Sequence, residues 1–558
     1  TGEYAGSLFT TVATSLLFSW VLSVTVTPLM CIKFLPDPKR KEGESSDPYA
    51  TPLYKRFRTL LAAAIRNRGA FLLSMVALLV VAVWGFRFVP QMYFPDSSRT
   101  QFMIDYWMAQ GTRIEEVSDN LRRLEKELMA QDGVDSVSAF IGQGPPRFYL
   151  PVDPEDAYSS YGQLIVDTHT LKDVDTVMAH IDPWAQENMP EALMVRVRKY
   201  GVGAFDDWKI EARFSGPAEA DPAVLRDLAE QGMAILRATP MAKEVSTDWR
   251  QKVRRLVPEY NQERGRWAGV TREEIASATK RAFDGVPVGQ YREGDDLIPI
   301  VIRHPQAERE RVAVDLDVLQ VIPNLSTETV PLSQVTDGIN IEWEEPLIWR
   351  WDRRRAITVQ SSVNGVTAPT LRAAVLADFE AIELPPGYTL EWDGEYNSSR
   401  ESQEALIPGI VPTVVIMMFI IVVLFNAFRP PIIIFAVIPF VLIGITSGLM
   451  LTQVPFGFIA LLGAMSLSGM MIKNAVVLLD QVNLNLGEGM SMYQAVVEAA
   501  VSRLRPVINA AATTVFGMAP LLQDVFWISM AVTIMFLSLI HISEPTRHDS
   551  GSRMPSSA

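Results

Sequence analysis

In the run GAMSLSGMMIKNAVVLLD, residues 463–480, a single lysine, Lys473, stands among apolar side chains. An ammonium at mid-depth in a membrane helix costs about 2.5–3.5 kcal/mol on insertion scales, so it needs a partner or a purpose. A carboxylate facing it would make a proton-sensitive switch, holding the ammonium when ionised and releasing it when protonated. The plainer reading is a charge that ties two helices together. No Asp or Glu lies inside a secure apolar run: Asp480 falls at the end of this one, and Glu401 and Glu404 precede an earlier one. The acidic partner is therefore expected from another subunit or from a further part of the protein. Asn474, Asn509, Thr513 and Thr514 offer amide and hydroxyl groups beside the lysine, although such hydroxyls commonly bond back to their own helix. The expected proton relay is Lys473, Asn474, Thr513 and Thr514.

A second candidate site is the loop GQGPPRFY, residues 142–149. Gly142 permits movement, and Phe140, Phe148 and Tyr149 present apolar faces suited to small hydrophobic substrates. The alternative is a surface turn whose aromatics pack on their own domain. The methionines of Met465–Met471 read as core filler rather than a binding box. Five histidines, His169, His180, His304, His541 and His548, are scattered with no spacing suited to a transition metal, so no metal site and no cofactor are expected.

These residues need elements to hold them. Apolar runs long enough to cross a bilayer occur at 7–35, 70–89, 406–428, 431–451 and 456–479. Val507–Leu522 is shorter and carries two threonines, which suggests a packed inner helix, and Phe526–Ile540 reads as a span that starts and does not finish. Nine cations (Lys33, Lys39, Arg40, Lys41, Lys55, Arg56, Arg58, Arg66, Arg68) against four acids lie between the first two runs, marking that linker as cytoplasmic. Alternation then puts 91–404 outside and the turns holding Arg429, Arg503 and Arg505 inside.

The outer region holds 34 Lys and Arg against 53 Asp and Glu, a net −19, which excludes nucleic acid as a partner and otherwise reads as a solvated acidic surface. The single cysteine, Cys31, leaves it without disulfides. Residues 101–200 alternate as QFMIDYW, a helix from Thr112 to Met129, VDSVSAFIG, YGQLIVDT, a helix over 174–188 and MVRVRKY. That is the β-α-β-β-α-β order of a ferredoxin-like unit. A second unit opens with KIEARFSG, a helix over 223–237 and KEVSTDW. It resumes with AITVQSSV, a helix over 370–382 and YTLEWDGE. The stretch between is an insertion with its own helix, capped by Thr271 and Glu274, and short strands.

The opening TGEYAGSLFTTVATSLLFSWVLSVTVTPLMC, the run GMMIKNAVVLLD and the segment RLRPVINAAATTVFGMAPL resemble the sixth, tenth and eleventh membrane helices of resistance-nodulation-division (RND) efflux permeases. VLFNAFRPPIIIFAVIP and VPFGFIALLGAMSLSG resemble the joins between the eighth, ninth and tenth. The resemblance covers residues 1 to about 536. It implies a secondary active transporter and no enzyme: a bacterial inner-membrane, multi-pass, proton-driven permease, homotrimeric, with a large periplasmic domain. It also implies a periplasmic adaptor, an outer-membrane channel and the lipid membrane as partners, and drug-like amphiphiles as cargo. Lys473 matches the family's relay lysine, whose carboxylates sit on a fourth helix that this chain does not contain; the chain resembles the C-terminal half. The Lys473–Asn474 pair points to the hydrophobe and amphiphile (multidrug, acriflavine-resistance-like) branch. Asn509-Ala510 stands where many members carry a threonine, leaving Thr513 and Thr514 as the hydroxyl pair.

The implied fold is an α-helical membrane bundle plus an α+β periplasmic domain, with ferredoxin-like porter subdomains and an inserted docking subdomain. The expected divisions are a sixth-like membrane helix at 1–36, a cytoplasmic linker at 37–68 and a seventh-like helix at 69–90. Porter subdomains follow at 91–207 and at 208–250 with 351–400, the docking subdomain at 251–350, and the remaining membrane helices at 401–536. Residues 537–558 read as a non-native tail, and Thr1-Gly2-Glu3-Tyr4 has no leader, so the chain reads as part of a longer protein. Two alternatives stand: metal-cation export by the same fold, which Met103, Met108 and Met178 converging in the outer cleft would favour, and a non-transporting scaffold or lipid receptor in which Lys473 is dispensable.

Overall fold

The computed structural model describes residues 2–34, 51–203, 207–314, 316–324, 326 and 328–546. Much of the expected linker 37–68, and the end of the expected tail, lie outside the described residues. The chain falls into two compact units, Trp249–Ile348 and everything else.

In the larger unit α1 runs Gly2–Phe34, α2 Pro52–Arg66 and α3 Arg68–Gly85. The first α/β subdomain follows: β1 (Gln101–Trp107), α4 (Ile114–Met129), β2 (Val134–Ile141), β3 (Tyr161–Thr168), α5 (Leu171–Asn188) and β4 (Met194–Lys199). Its antiparallel sheet runs in the order β2-β3-β1-β4. Because side chains alternate along a strand, Phe102, Ile104 and Tyr106 of β1 join Leu164, Val166 and Val197 under α4 and α5. The opposite face is left for Asp105, Gln163, Arg196 and Arg198.

The second α/β subdomain begins with β5 (Ile210–Ser215), α6 (Pro222–Arg237) and β6 (Ala242–Thr247). The smaller unit then intervenes with β7 (Val253–Tyr260), α7 (Gln262–Ala268), α8 (Arg272–Phe283), β8 (Val286–Glu293), β9 (Asp296–Ile302), α9 (Gln306–Val314), β10 (Gln320–Val321), β11 (Val330–Pro331), α10 (Leu332–Val335) and β12 (Thr336–Glu344). Thr271 and Glu274 cap α8 reciprocally, and β7 pairs with β12. The second subdomain resumes with β13 (Arg350–Trp351), β14 (Arg354–Val363), α11 (Ala368–Glu380) and β15 (Thr389–Asp393), giving the order β13-β14-β5-β15 with β6 also on β14.

The chain returns to apolar helices through α12 (Glu395–Glu404), α13 (Ile407–Phe425), α14 (Arg429–Val437), α15 (Val441–Thr452), α16 (Phe458–Gly487), α17 (Met492–Met518) and α18 (Ile528–Thr546). Among the described residues, five stretches are long and apolar enough to cross a membrane: Thr10–Phe34, Arg68–Phe88, Glu395–Phe425, Arg429–Thr452 and Phe458–Gly487. The fourth is broken by a 3-10 turn at Ile438–Phe440, where Pro439 lacks the amide an α-helix needs. Counting apolar runs underestimates two helices. α16 continues eight residues beyond Leu479, and α17 starts at Met492, capped by Ser491, well before Val507. Their extra turns are amphipathic, burying Val482, Ala495 and Ala499 together, so no continuous apolar run announces them.

Candidate functional site

Lys473 lies midway along α16. Met471 packs toward Val441, Ile445 and Leu449 of α15, while Ile472 packs toward Ile421 and Ile434 on α13 and α14. Lys473 itself is exposed and makes no ion pair among the described residues. Met470, one turn before it, meets α17, where its sulfur is 3.9 Å from Thr514 Oγ1. Helical spacing puts Lys473 and Asn474 on that same side. The hydroxyls of Thr513 and Thr514 both donate to the Ala510 carbonyl at 2.9 Å, so in this state they are spent on their own helix. Lys473, Asn474 and Thr514 thus share a neighbourhood, and Thr513 is exposed beside it.

The foot of α16 is locked to the chain leaving α3. Met92 N donates to Phe456 O at 3.1 Å, and Phe456 N donates to Pro90 O at 2.8 Å. Gly457 sits at the crossing, where a Cβ would stand 2.3 Å from Met92 O. Next to it Tyr93 N donates to Glu395 Oε1 at 3.0 Å, and Tyr93 Oη and Ser402 Oγ are 2.5 Å apart. Lys209, ahead of β5, reaches Glu395 Oε2 at 3.4 Å. One buried carboxylate thus joins the second α/β subdomain to the start of the lysine-bearing helix. Gly457→Ala should lower stability by on the order of 1–3 kcal/mol, because the obstructing atom is backbone and cannot swing aside. Gly69→Ala, with open space around it, should not. Thermal midpoints of the two purified variants check this.

The sheet face opposite α4 and α5 carries a charged cluster that sequence reasoning missed. Asp105 stands opposite Gln163 and Arg196 in the ladders. Its carboxylate accepts from Tyr161 Oη at 2.8 Å, Gln163 Nε2 at 2.6 Å and Arg198 Nε at 2.6 Å. Arg198 also donates to Asp207 Oδ1 at 2.5 Å. Arg196 donates to the Asp207 carbonyl, lies 3.8 Å over the Trp208 ring, and reaches Glu244 Oε2 at 3.3 Å and Ser362 Oγ at 3.4 Å. Glu244 and Ser362 belong to the second subdomain, so the cluster clasps the two together; Lys243 to Asp182, at 3.7 Å, adds a second link.

Glu244 reaches inward because β6 bulges against β14. Register shifts between Gln360 and Ser362, and Glu244 takes φ +57°, a left-handed conformation uncommon for a residue with a Cβ. Burial pushes the Asp105 carboxyl up, but the Arg198 and Arg196 guanidiniums and the hydrogen bonds from Arg198 and Tyr161 outweigh it, leaving it below the ordinary value. Burial also pulls Arg198 down, and Asp105 and Asp207 more than offset it, so Arg198 rises. In Arg196 burial and the neighbouring Arg198 win and the value falls. The readable signal was VRVRK, with arginines two apart on one face of a strand.

The loop 142–149 is pinned to its own subdomain. Tyr149 Oη donates to Gly201 O at 2.7 Å, its ring meets that of Tyr200 edge-on at 5.3 Å, and the Arg99 guanidinium lies over both rings. Gly142 takes φ +83°, and Phe140 is partly buried on β2 opposite Gln163. Phe148, 52% exposed, is the aromatic of the set that stays open. Met103, Met108 and Met178 do not converge: Met108 and Met178 pack with the helix-side core, whereas Met103 lies on the other face of β1, its sulfur 3.9 Å from Gln163 Nε2. Among the described residues no three His, Cys, Asp or Glu group to hold a metal.

Residues 1–524 match the AcrB/AcrD/AcrF family. Similar proteins include the nickel-cobalt-cadmium resistance protein NccA of Alcaligenes xylosoxydans xylosoxydans, 25% identical over 93% of this chain and 48% of its own length. The nickel and cobalt resistance protein CnrA of Cupriavidus metallidurans is 26% identical over 93% and 48%. The multidrug resistance protein MdtC of Edwardsiella ictaluri is 23% identical over 93% and 50%. A crystal structure of a heavy metal efflux pump superposes with a TM-score of 0.73 at 17% identity, covering 88% of this chain and 50% of that one, which establishes a shared fold. The chain spans about half the length of the curated relatives it matches. Metal-resistance proteins stand prominently among them, so the Lys473–Asn474 pair does not support assignment to the amphiphile branch. By its match over nearly its whole length, this chain belongs to the AcrB/AcrD/AcrF family, whose members are transporters and not enzymes.

Proposed function

We propose that this chain forms part of a proton-driven RND permease of the bacterial inner membrane that exports divalent metal cations. The observation that carries the reading is similarity to nickel, cobalt, cadmium and zinc resistance proteins along 92–93% of the chain, through membrane and outer regions alike. The acidic outer region is consistent with it, since a net −19 raises local cation concentration. The β-α-β-β-α-β order and the β2-β3-β1-β4 sheet support reading 91–207 as a ferredoxin-like porter subdomain, and the separate unit Trp249–Ile348 supports reading the insertion as a docking subdomain. The complete permease then works as a trimer with a periplasmic adaptor and an outer-membrane channel. Lys473, with Asn474, Thr513 and Thr514 around it, carries the proton step, and its open face receives a carboxylate from membrane helices outside this chain.

The test is a metal-sensitive host expressing the complete permease with its adaptor and channel. Tolerance to cobalt, nickel, cadmium or zinc should rise several-fold while tolerance to dyes and detergents stays level; the reverse pattern overturns the cargo assignment.

Amphiphile export remains a second reading, favoured by the similarity to MdtC and by Phe148, which stays exposed at the loop. It assigns Phe140, Gly142, Phe148 and Tyr149 to substrate contact. The two readings separate at Phe148→Ala: under metal export, tolerance to every cation is unchanged within about twofold, because a phenyl ring offers a cation no ligand atom. Under amphiphile export, tolerance to some drugs falls and to others does not.

A further inference from the structure

α2 ends at Arg66, and Asn67, with φ −106° and ψ 40°, breaks the helix into an elbow before α3 sets off from Arg68. The inner side of this elbow is a groove of about 660 Å³, lined on one wall by Phe57, Leu61 and Ile65 and on the other by Ala70, Phe71 and Ser74. It is overwhelmingly apolar, with Arg68 at its rim. α2 is fixed in place: Phe57 and Tyr54 are buried against Val497, Val501 and Leu504 of α17, and Arg58 pairs with Glu498. The groove is therefore a built feature of the fold.

Its electrostatics are one-sided. α2 and the first turn of α3 carry Lys55, Arg56, Arg58, Arg66 and Arg68 and no Asp or Glu, and of these Arg58 is met by Glu498 of α17. Lys55, Arg56, Arg66 and Arg68 are exposed and make no ion pair among the described residues. A groove that is apolar within and cationic at its mouth, beside a helix apolar enough to span a bilayer, is complementary to one molecule of the surroundings above others.

We propose that the elbow binds an anionic phospholipid of the adjoining leaflet, with its phosphate between Arg66 and Arg68 and an acyl chain in the groove. Guanidinium groups suit a phosphate because their planar donors engage two oxygens at once. A zwitterionic headgroup would gain less, since its own ammonium competes for the phosphate. The proposal rests on the membrane reading of α3 and is independent of the cargo.

The test uses the complete permease in lipid nanodiscs of phosphatidylethanolamine with phosphatidylglycerol or cardiolipin added, followed by native mass spectrometry of the lipids retained. Wild type should retain the anionic lipid about tenfold over phosphatidylethanolamine, and Arg66→Gln with Arg68→Gln should bring the two to parity. Ala64→Trp, which fills the groove and keeps every charge, should also abolish retention. Lys55→Gln, away from the groove, should change it by less than about twofold. Equal retention of both lipids, or a loss with Lys55→Gln matching that with the arginine pair, overturns the site. So does groove occupancy by another helix of the permease. Failure of the membrane reading looks different: in a complete permease with every cysteine replaced, Cys31→Ser among them, Leu73→Cys would react with an impermeant maleimide, whereas a shielded thiol with headgroup-blind retention sinks the lipid site alone.

Discussion

On the proposed function, Lys473→Ala should abolish proton-driven cation efflux by the complete permease while the protein still reaches the membrane at wild-type level. An isolated ammonium at mid-span is tolerable only when a carboxylate faces it, and protonating that carboxylate removes the attraction. On this route the lysine would be free to turn toward another acceptor, and Asn474 is the adjacent side chain not committed to its own helix carbonyls, unlike Thr513 and Thr514. Lys473→Arg also fails, because a planar guanidinium does not reproduce a compact point charge on a flexible stem. Assembly survives because α16 is held by Leu467, Met471 and Ile472, which the substitution leaves alone. The measurement is cobalt flux in vesicles under an imposed pH gradient, at matched protein. Wild-type flux from the Ala variant would remove Lys473 from the proton path and favour a helix-tying role.

Arg198→Met destabilises the outer region by about 3–5 kcal/mol, because it strands the buried Asp105 carboxylate. Asp105→Leu combined with Arg198→Met should recover part of the loss, since no carboxylate is then stranded in the sheet: Asp207 is partly exposed and Arg196 keeps Glu244, while Tyr161 and Gln163 lose their acceptor. Thermal unfolding of Arg198→Met, Asp105→Leu and the double variant gives the comparison; a double loss equal to the sum of the single losses would show that the charges act independently. The pH dependence follows from the lowered Asp105 value. The folded carboxyl titrates below 3.8, so its contribution is complete above that pH and is lost as pH falls through the lowered value. Between pH 8 and 5 wild-type stability should stay flat on this account, and an acid transition should begin near pH 4. In Arg198→Met, Asp105 loses its strongest partner, so the transition should move upward.

Much of the framework was legible in the sequence because it rests on local patterning. QFMIDYW and YGQLIVDT alternate at period two and stand as β1 and β3, and the Thr271–Glu274 capping box opens α8. Lys473 was visible because a charge in an apolar run is conspicuous without any knowledge of its neighbours. The clasp was not, since Asp105, Arg196, Asp207 and Glu244 are far apart in the chain, and only the sheet register and the β6 bulge bring them together. The full lengths of α16 and α17 were hidden for a related reason: their ends bury one face against each other, and a composition window averages that face with its polar opposite. The branch was not legible, because the Lys473–Asn474 pair belongs to the proposed proton step and says nothing of cargo, and similarity to metal-resistance proteins leaves its assignment to the amphiphile branch unsupported.

The joint at Gly457 has a kinematic consequence. α16 is one uninterrupted rod of 30 residues, about 45 Å long at 1.5 Å per residue, and Lys473 stands sixteen positions, roughly 24 Å, from the crossing with Met92. With the foot pinned by paired backbone hydrogen bonds, the rod can tilt about that point more easily than it can slide through it. A tilt of only about 5° carries the ammonium some 2 Å sideways, the scale on which helix shifts operate in switching proteins. Glu395, gripping Tyr93 and Lys209 at the pivot, would feel the same rotation as torque, so a proton step at Lys473, as proposed, would be geared to the outer region through leverage, with no need for a moving loop between them.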